Sequence, residues 1–200
     1  MRAALAAFLS LTLPLAPARA EGVRVGLSVA VAQVEGEAVV TSDWLDEQLA
    51  HATRAFRPYG VCFAIAHRRE LPAEHGAMET RADRHALGGL LEPGRVNVFV
   101  VESLRDVDDP SVMRMGVHWR ARGRHHGHYV IVAASAWQTT LAHELGHFFG
   151  NPHHPTPGNL MSYEGRSETS GFDAAQGRRI AGHLRRFLRS RELAPLDGGC

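Results

Sequence analysis

The stretch LAHELGHFFGNPHHPTPGNLMSY, Leu141 to Tyr163, decides how this chain is read. Its first part is composed like a helix, and on a helix His143 and His147, four residues apart, project from one face about one turn from each other. Two imidazoles so placed can share a metal ion at N–metal distances of about 2.0–2.1 Å. Glu144 is turned by about 100° from His143, near enough to reach a metal-bound water without being a ligand. Gly150 falls where the helix should end in a left-handed turn, which glycine adopts without strain. Pro152 prevents continuation, and the chain can then double back to bring His153 to the same ion. Three neutral histidines leave a fourth position to water, the pattern of a catalytic zinc rather than of a closed structural one.

A histidine-rich helix without metal is the plain alternative, since the chain holds 13 histidines in 200 residues. From that composition the full pattern H-E-x-x-H-x-x-G-x-x-H arises by chance on the order of 10⁻³ times per chain or less, whereas an isolated H-E-x-x-H would carry far less weight. The metal site is therefore the reading adopted.

Upstream, Val23 to Val34 reads as a strand, and Thr41-Ser42-Asp43 as the N-cap cluster of a helix. Trp44, Leu45, Gln48, Leu49, Ala52, Ala55 and Phe56 keep the helical period until Pro58 and Gly60 stop it. A second strand is expected over Gly60 to His67, a short helix around Ala82 to Leu91, and a buried strand in RVNVFVVE, Arg95 to Glu102. Residues 103–114 form an acidic loop with Asp106, Asp108 and Asp109. Gly116 to Gly123 alternates like a half-exposed edge strand, and HYVIVAAS, from His128, is another buried strand. Helices are predicted over Ala136 to Phe149 and Asp173 to Leu193, the latter with Ile180, Leu184, Phe187 and Leu188 on one face. This order implies one sheet packed by helices.

The first twenty residues read as a signal peptide: Arg2 as the positive n-region, Ala3 to Leu15 as the apolar run, Ala18-Arg19-Ala20 as the cleavage site. The domain proper is then 21–200, an exported protein with no stable membrane insertion, because the apolar run is too short for a span. Removing Arg2 and Arg19 takes the formal charge from +1 to −1, which leaves no basic bias toward nucleic acid. Cys62 and Cys200 are the sole cysteines. They could pair in an oxidising compartment, or Cys62, within an apolar run, could be a buried free thiol; the sequence leaves both open.

The motif resembles that of the metzincin zinc endopeptidases, carried by His143, Glu144, His147, Gly150 and His153, with Met161 matching the methionine turn downstream. The short connection from His153 to Met161 is similar to that of matrixins, while Tyr163, two residues on, resembles the tyrosine of astacins and serralysins. The resemblance implies an α+β fold: a twisted, mostly parallel sheet with an antiparallel edge strand, packed by an N-terminal helix and the active-site helix, plus a C-terminal helix. It implies Zn²⁺ on His143, His147 and His153, and Met161 as an apolar floor rather than a ligand. Glu144 would be general base, and the Tyr163 hydroxyl would steady an oxyanion. It further implies a peptide or protein substrate, strand addition to the edge near Met115 to Arg120, and a primed-side pocket shaped by about Ser162 to Phe172. A monomeric secreted zinc endopeptidase is the expectation. A zinc-stabilised binding protein without turnover, or an amidase acting on a modified peptide, are the rival readings.

Three further clusters read as solvated surface. His118, His125, His126 and His128 suit an exposed, arginine-rich hairpin better than a second metal site, because no Asp lies among them. The loop at Asp106 to Asp109 lacks a calcium-binding pattern. Arg178, Arg179, Arg185, Arg186, Arg189 and Arg191 fit the exposed face of the last helix.

Overall fold

Five strands and four helices carry the architecture in this computed structural model, which describes residues 22–121 and 127–200. The signal-peptide segment, His125 and His126 lie outside the described residues. The strands are β1 (Val23–Val31), β2 (Val61–Glu70), β3 (Val96–Val101), β4 (Gly116–Ala121) and β5 (Gly127–Ala133), in spatial order β2-β1-β3-β5-β4. All neighbours run parallel except β4, which lies antiparallel on β5 at the edge. The interior strands β1, β3 and β5 are near-continuous apolar runs because helices and loops cover both faces.

On one face lie α1 (Ser42–Phe56), α3 (Thr140–Phe148) and α4 (Ala174–Ser190), closing a core that includes Leu27, Val98, Phe56, Leu145 and Phe187. The other face buries Phe99, Tyr129 and Ile131 under α2 (Arg81–Ala86), the 3-10 turn Leu87–Leu90 and the chain around Leu71 and Met78. α1 begins at Thr41, whose side chain accepts the Trp44 N–H, and α4 begins with a reciprocal capping box between Asp173 and Gln176. Its six arginines are exposed, as expected, while Ile180, Leu184 and Phe187 face the core.

The element order agrees with the sequence reading, and the differences have local causes. β1 stops at Val31 because the chain reverses at Glu35 and Gly36, both with positive φ, pairing Gln33–Val34 with Glu37–Ala38. The short helix around Ala82 to Leu91 breaks into α2 and a 3-10 turn at the Gly88-Gly89 pair. The helix expected from Ala136 starts four residues later, since residues 134–139 form hydrogen-bonded turns, with Ala136 N–H to Ala133 O and Thr140 N–H to Trp137 O. Cys62 and Cys200 form a disulfide with Cα atoms 5.7 Å apart across 138 residues. The acidic loop is held by arginines rather than left to solvent: Arg81 pairs with Asp108, and Arg114 Nε with Asp106 Oδ2 at 2.5 Å. Asp106 also accepts the N–H groups of Asp108 and Asp109, which together hold its carboxyl far below the usual range.

Candidate metal centre

Packing fixes α3 before any ion is considered. Gln48, buried on α1, accepts the Leu141 N–H at 3.0 Å and donates to the Trp137 carbonyl at 2.8 Å. It thereby satisfies a free N–H in the first turn of a helix that has no side-chain cap of its own. At the other end Gly150 takes φ 84°, its N–H meets the His147 carbonyl, and the Asn151 N–H reaches back to the Gly146 carbonyl. This is the glycine-terminated turn expected from the sequence. Gly146, in the middle of the helix, has a different purpose: a Cβ there would lie 2.3 Å from Met161 Sδ. The missing side chain is the space that Met161, itself fully buried, occupies beneath the histidines.

The structure brings together the three histidines named from the sequence: one ring nitrogen each from His143, His147 and His153 lies within 4.8 Å of the others. His143 Nδ1 donates to the Leu160 carbonyl and His147 Nδ1 to the Asn151 carbonyl, both at 2.8 Å. A carbonyl can only accept, so both protons sit on Nδ1 and both Nε2 lone pairs face the common point. His147 Nε2 and His153 Nε2 are 3.0 Å apart. Burial pushes His143 down to about 3 and His147 to about 4, and lowers His153 as well, which keeps all three neutral at pH 7. Neutral, pre-oriented imidazoles without a thiolate fit a divalent zinc ion. His154 does not compete: its Nε2 faces Asp173 at 3.3 Å, and its Nδ1 accepts the Thr156 N–H.

Glu144 lies buried under the edge strand, where an added Cβ on Gly116 would come within 2.8 Å of its Cγ. Burial pushes its carboxyl up to about 8, opposed by the His118 backbone N–H and by Arg166 and Arg114. Tyr163 is 67% exposed and leans over His153, ring centroids 4.2 Å apart. All of these border one cleft of about 570 Å³, walled on its far side by Met115, Gly116 and Val117.

The arrangement is braced from behind by residues that sequence reasoning passed over. Asn159 and Gln176 exchange hydrogen bonds through their amides at 3.0 and 3.1 Å, and Asn159 Oδ1 also takes the Met161 N–H. Arg179 on α4 donates to Asn151 Oδ1 at 3.2 Å. The reading of His118 and His128 as a solvated hairpin needs correction. On antiparallel β4 and β5 they are diagonal neighbours on one face, with His118 Nε2 2.8 Å from His128 Nδ1. His128 stacks on Phe148 at 3.9 Å and its Nε2 meets Glu192 at 2.6 Å. A linear chain of three groups running from half-buried His118 through buried His128 to exposed Glu192, with both nitrogens of His128 engaged, is a hydrogen-bond chain and not a metal cage.

No family model and no curated protein matches the sequence. Among solved structures, the fold recurs in archaemetzincin from Methanopyrus kandleri, at 18% identity and a TM-score of 0.54, over 86% of this chain and 100% of that one. It recurs in metalloproteinase-II from Bacteroides fragilis, at 14% and 0.58, over 84% of this chain and 55% of that one. Mature mirolysin of Tannerella forsythia, solved with a cleaved peptide, aligns at 11% and 0.57 over 88% of this chain and 100% of that one. At these identities the shared property is the fold, and the α+β architecture expected from the motif is the one these structures have.

Proposed function

We propose that the chain is a secreted zinc-dependent endopeptidase, with His143, His147 and His153 as metal ligands and Glu144 as general base. The observation that carries this reading is the convergence of three neutral imidazoles, two with their protons held on Nδ1, beside a buried carboxylate in an open cleft. A merely structural ion would need neither the carboxylate nor the cleft.

Zinc, when bound, supplies Lewis acidity that polarises a peptide carbonyl and lowers the pKa of a water to about 7. Glu144, pushed up to about 8 by burial in the metal-free site, would be drawn back to its carboxylate form by a divalent cation held alongside, and in that form takes a proton from the attacking water and delivers it to the departing amine nitrogen. Its burial beneath Gly116 keeps bulk water from competing for that proton. Among the described residues the outer edge of β4 is unpaired in the sheet, so an extended peptide can add to it as a further strand and run across the cleft. The Tyr163 hydroxyl, its ring leaning over His153, donates to the oxyanion that develops on the scissile carbonyl. Export rests on the segment Arg2 to Ala20, and the Cys62–Cys200 disulfide suits an oxidising compartment. No helix among the described residues is long and apolar enough to cross a membrane.

The test pairs metal stoichiometry with cleavage mapping on denatured protein and a mixed peptide library. One zinc per chain, lost in His153→Ala, and hydrolysis abolished in Glu144→Ala with zinc retained are expected. Equal inertness of the unaltered chain and Glu144→Ala, with zinc bound in both, would return a binding protein without turnover.

A further inference from the structure

The cleft is lined by four arginines, and three of them are committed elsewhere. Arg81 pairs with Asp108, and Arg114 with Asp106. Arg84 is buried, donating to the Arg105 carbonyl with its guanidinium over the Trp119 ring at 4.9 Å. Arg166 differs. No carboxylate among the described residues forms an ion pair with it, and its Nη1 is buried without an acceptor. Burial pulls its guanidinium below the ordinary value, while Glu144 and Tyr163 hold it up. An arginine nonetheless stays charged. On this half-buried cation the enclosed, unused Nη1 donor costs stability until an acceptor reaches it.

Arg166 also borders a second cavity of about 730 Å³, shared with Trp44, Trp137, Thr139 and Glu168. Arg166 belongs to the linings of both the catalytic cleft and that cavity. We propose that Arg166 is a specificity-determining residue that reads a carboxylate of the bound peptide, so that chains with Asp or Glu near the scissile bond, or ending there in a free carboxylate, are preferred. The inference rests on the peptidase reading above and adds the class of substrate. A guanidinium is a planar two-pronged donor whose geometry matches a carboxylate, and the enclosed Nη1 supplies a donor still without an acceptor. Mere support of Glu144 by the same cation would instead affect every peptide alike.

The test uses zinc-loaded Glu144→Ala protein, which holds peptides without cutting them. Fluorescein-labelled alanine heptapeptides carry one Glu walked through each position, each beside its Gln counterpart; a second set compares C-terminal acid with carboxamide. At one position, or at the terminus, the carboxylate should bind roughly 10- to 100-fold tighter, as a charge-assisted pair in a partly buried site does. That ratio should fall to within twofold in Arg166→Gln and be partly kept in Arg166→Lys. Equal binding of acid and amide forms throughout, no peptide binding at all, or a preference that survives Arg166→Gln would overturn the proposal. An Arg166-dependent preference in a chain that hydrolyses nothing would leave the inference standing and remove the peptidase reading instead.

Discussion

Replacing Gly146 with alanine isolates what the methionine beneath the site contributes. In an exposed helix the change would stabilise by about 1 kcal/mol, because glycine is the poorer helix former. Here the new Cβ would lie 2.3 Å from Met161 Sδ and 3.1 Å from both Met161 Cε and Phe172 Cε1. Ordinary contact is about 3.5–4.0 Å, so the thioether must retreat by more than an ångström. Met161 is wholly enclosed, and such overpacking costs about 1–3 kcal/mol. Set against the helix gain, the net is a loss of about 0–2 kcal/mol without metal. The larger effect should fall on zinc. Leu160, next to Met161, supplies the carbonyl that orients His143, and disturbing such a partner lowers metal affinity by roughly 10- to 100-fold. Urea unfolding with chelator present gives the first quantity, and competition against a zinc chelator the second. Met161→Ala makes room, so in a double-mutant cycle the two changes should couple by about 1–2 kcal/mol. A Gly146→Ala chain more stable by the full ~1 kcal/mol, with zinc affinity unchanged, would refute the argument.

Gly116→Ala presses on Glu144 Cγ and Thr140 Cγ2 from the edge strand, so kcat/KM should fall at least about tenfold while zinc stoichiometry stays at one; unchanged turnover would count against Glu144 as the base. Burial depresses His118 to about 3 and His128 to about 4 in the folded chain, against roughly 6.5 unfolded, so the unfolded chain binds the extra protons below that pH. Stability is therefore whole above about pH 6.5 and falls between there and about 4, these two groups contributing up to ~2.7 kcal/mol per pH unit. In chelator-treated protein His118→Gln should flatten the slope of urea stability against pH by about half that amount. Cys200→Ser opens a loop of 138 residues and should cost about 5 kcal/mol on the chain-entropy model, read as a fall in the urea midpoint that reductant reproduces in the unaltered chain.

The convergence of the three histidines was legible because three constraints coincide in eleven residues: helical spacing for His143 and His147, a glycine stop, and a return for His153. Thr41 as a cap and the apolar runs of β3 and β5 were legible for the same reason, since each is a local pattern. What escaped needs two distant segments. Alternation in β4 gave no hint that β5 would set His128 beside His118, or that α4 would bring Glu192 to it. Gln48 kept the period of an apolar position, and nothing nearby in the sequence shows its partner at Leu141, 93 residues on. Gly146 reads as a weak helix former until Met161 is seen filling the gap.

The bracing by α4 bears on the order of events during synthesis. A growing chain contains its whole ligand motif by residue 163, yet Gln176 and Arg179, which steady Asn159 and Asn151, are translated later. An unfinished polypeptide lacks those partners, so an ion held by the three histidines would be gripped less firmly until α4 docks. Completion of this support would thus be timed by α4, Ala174–Ser190, rather than by the histidines themselves.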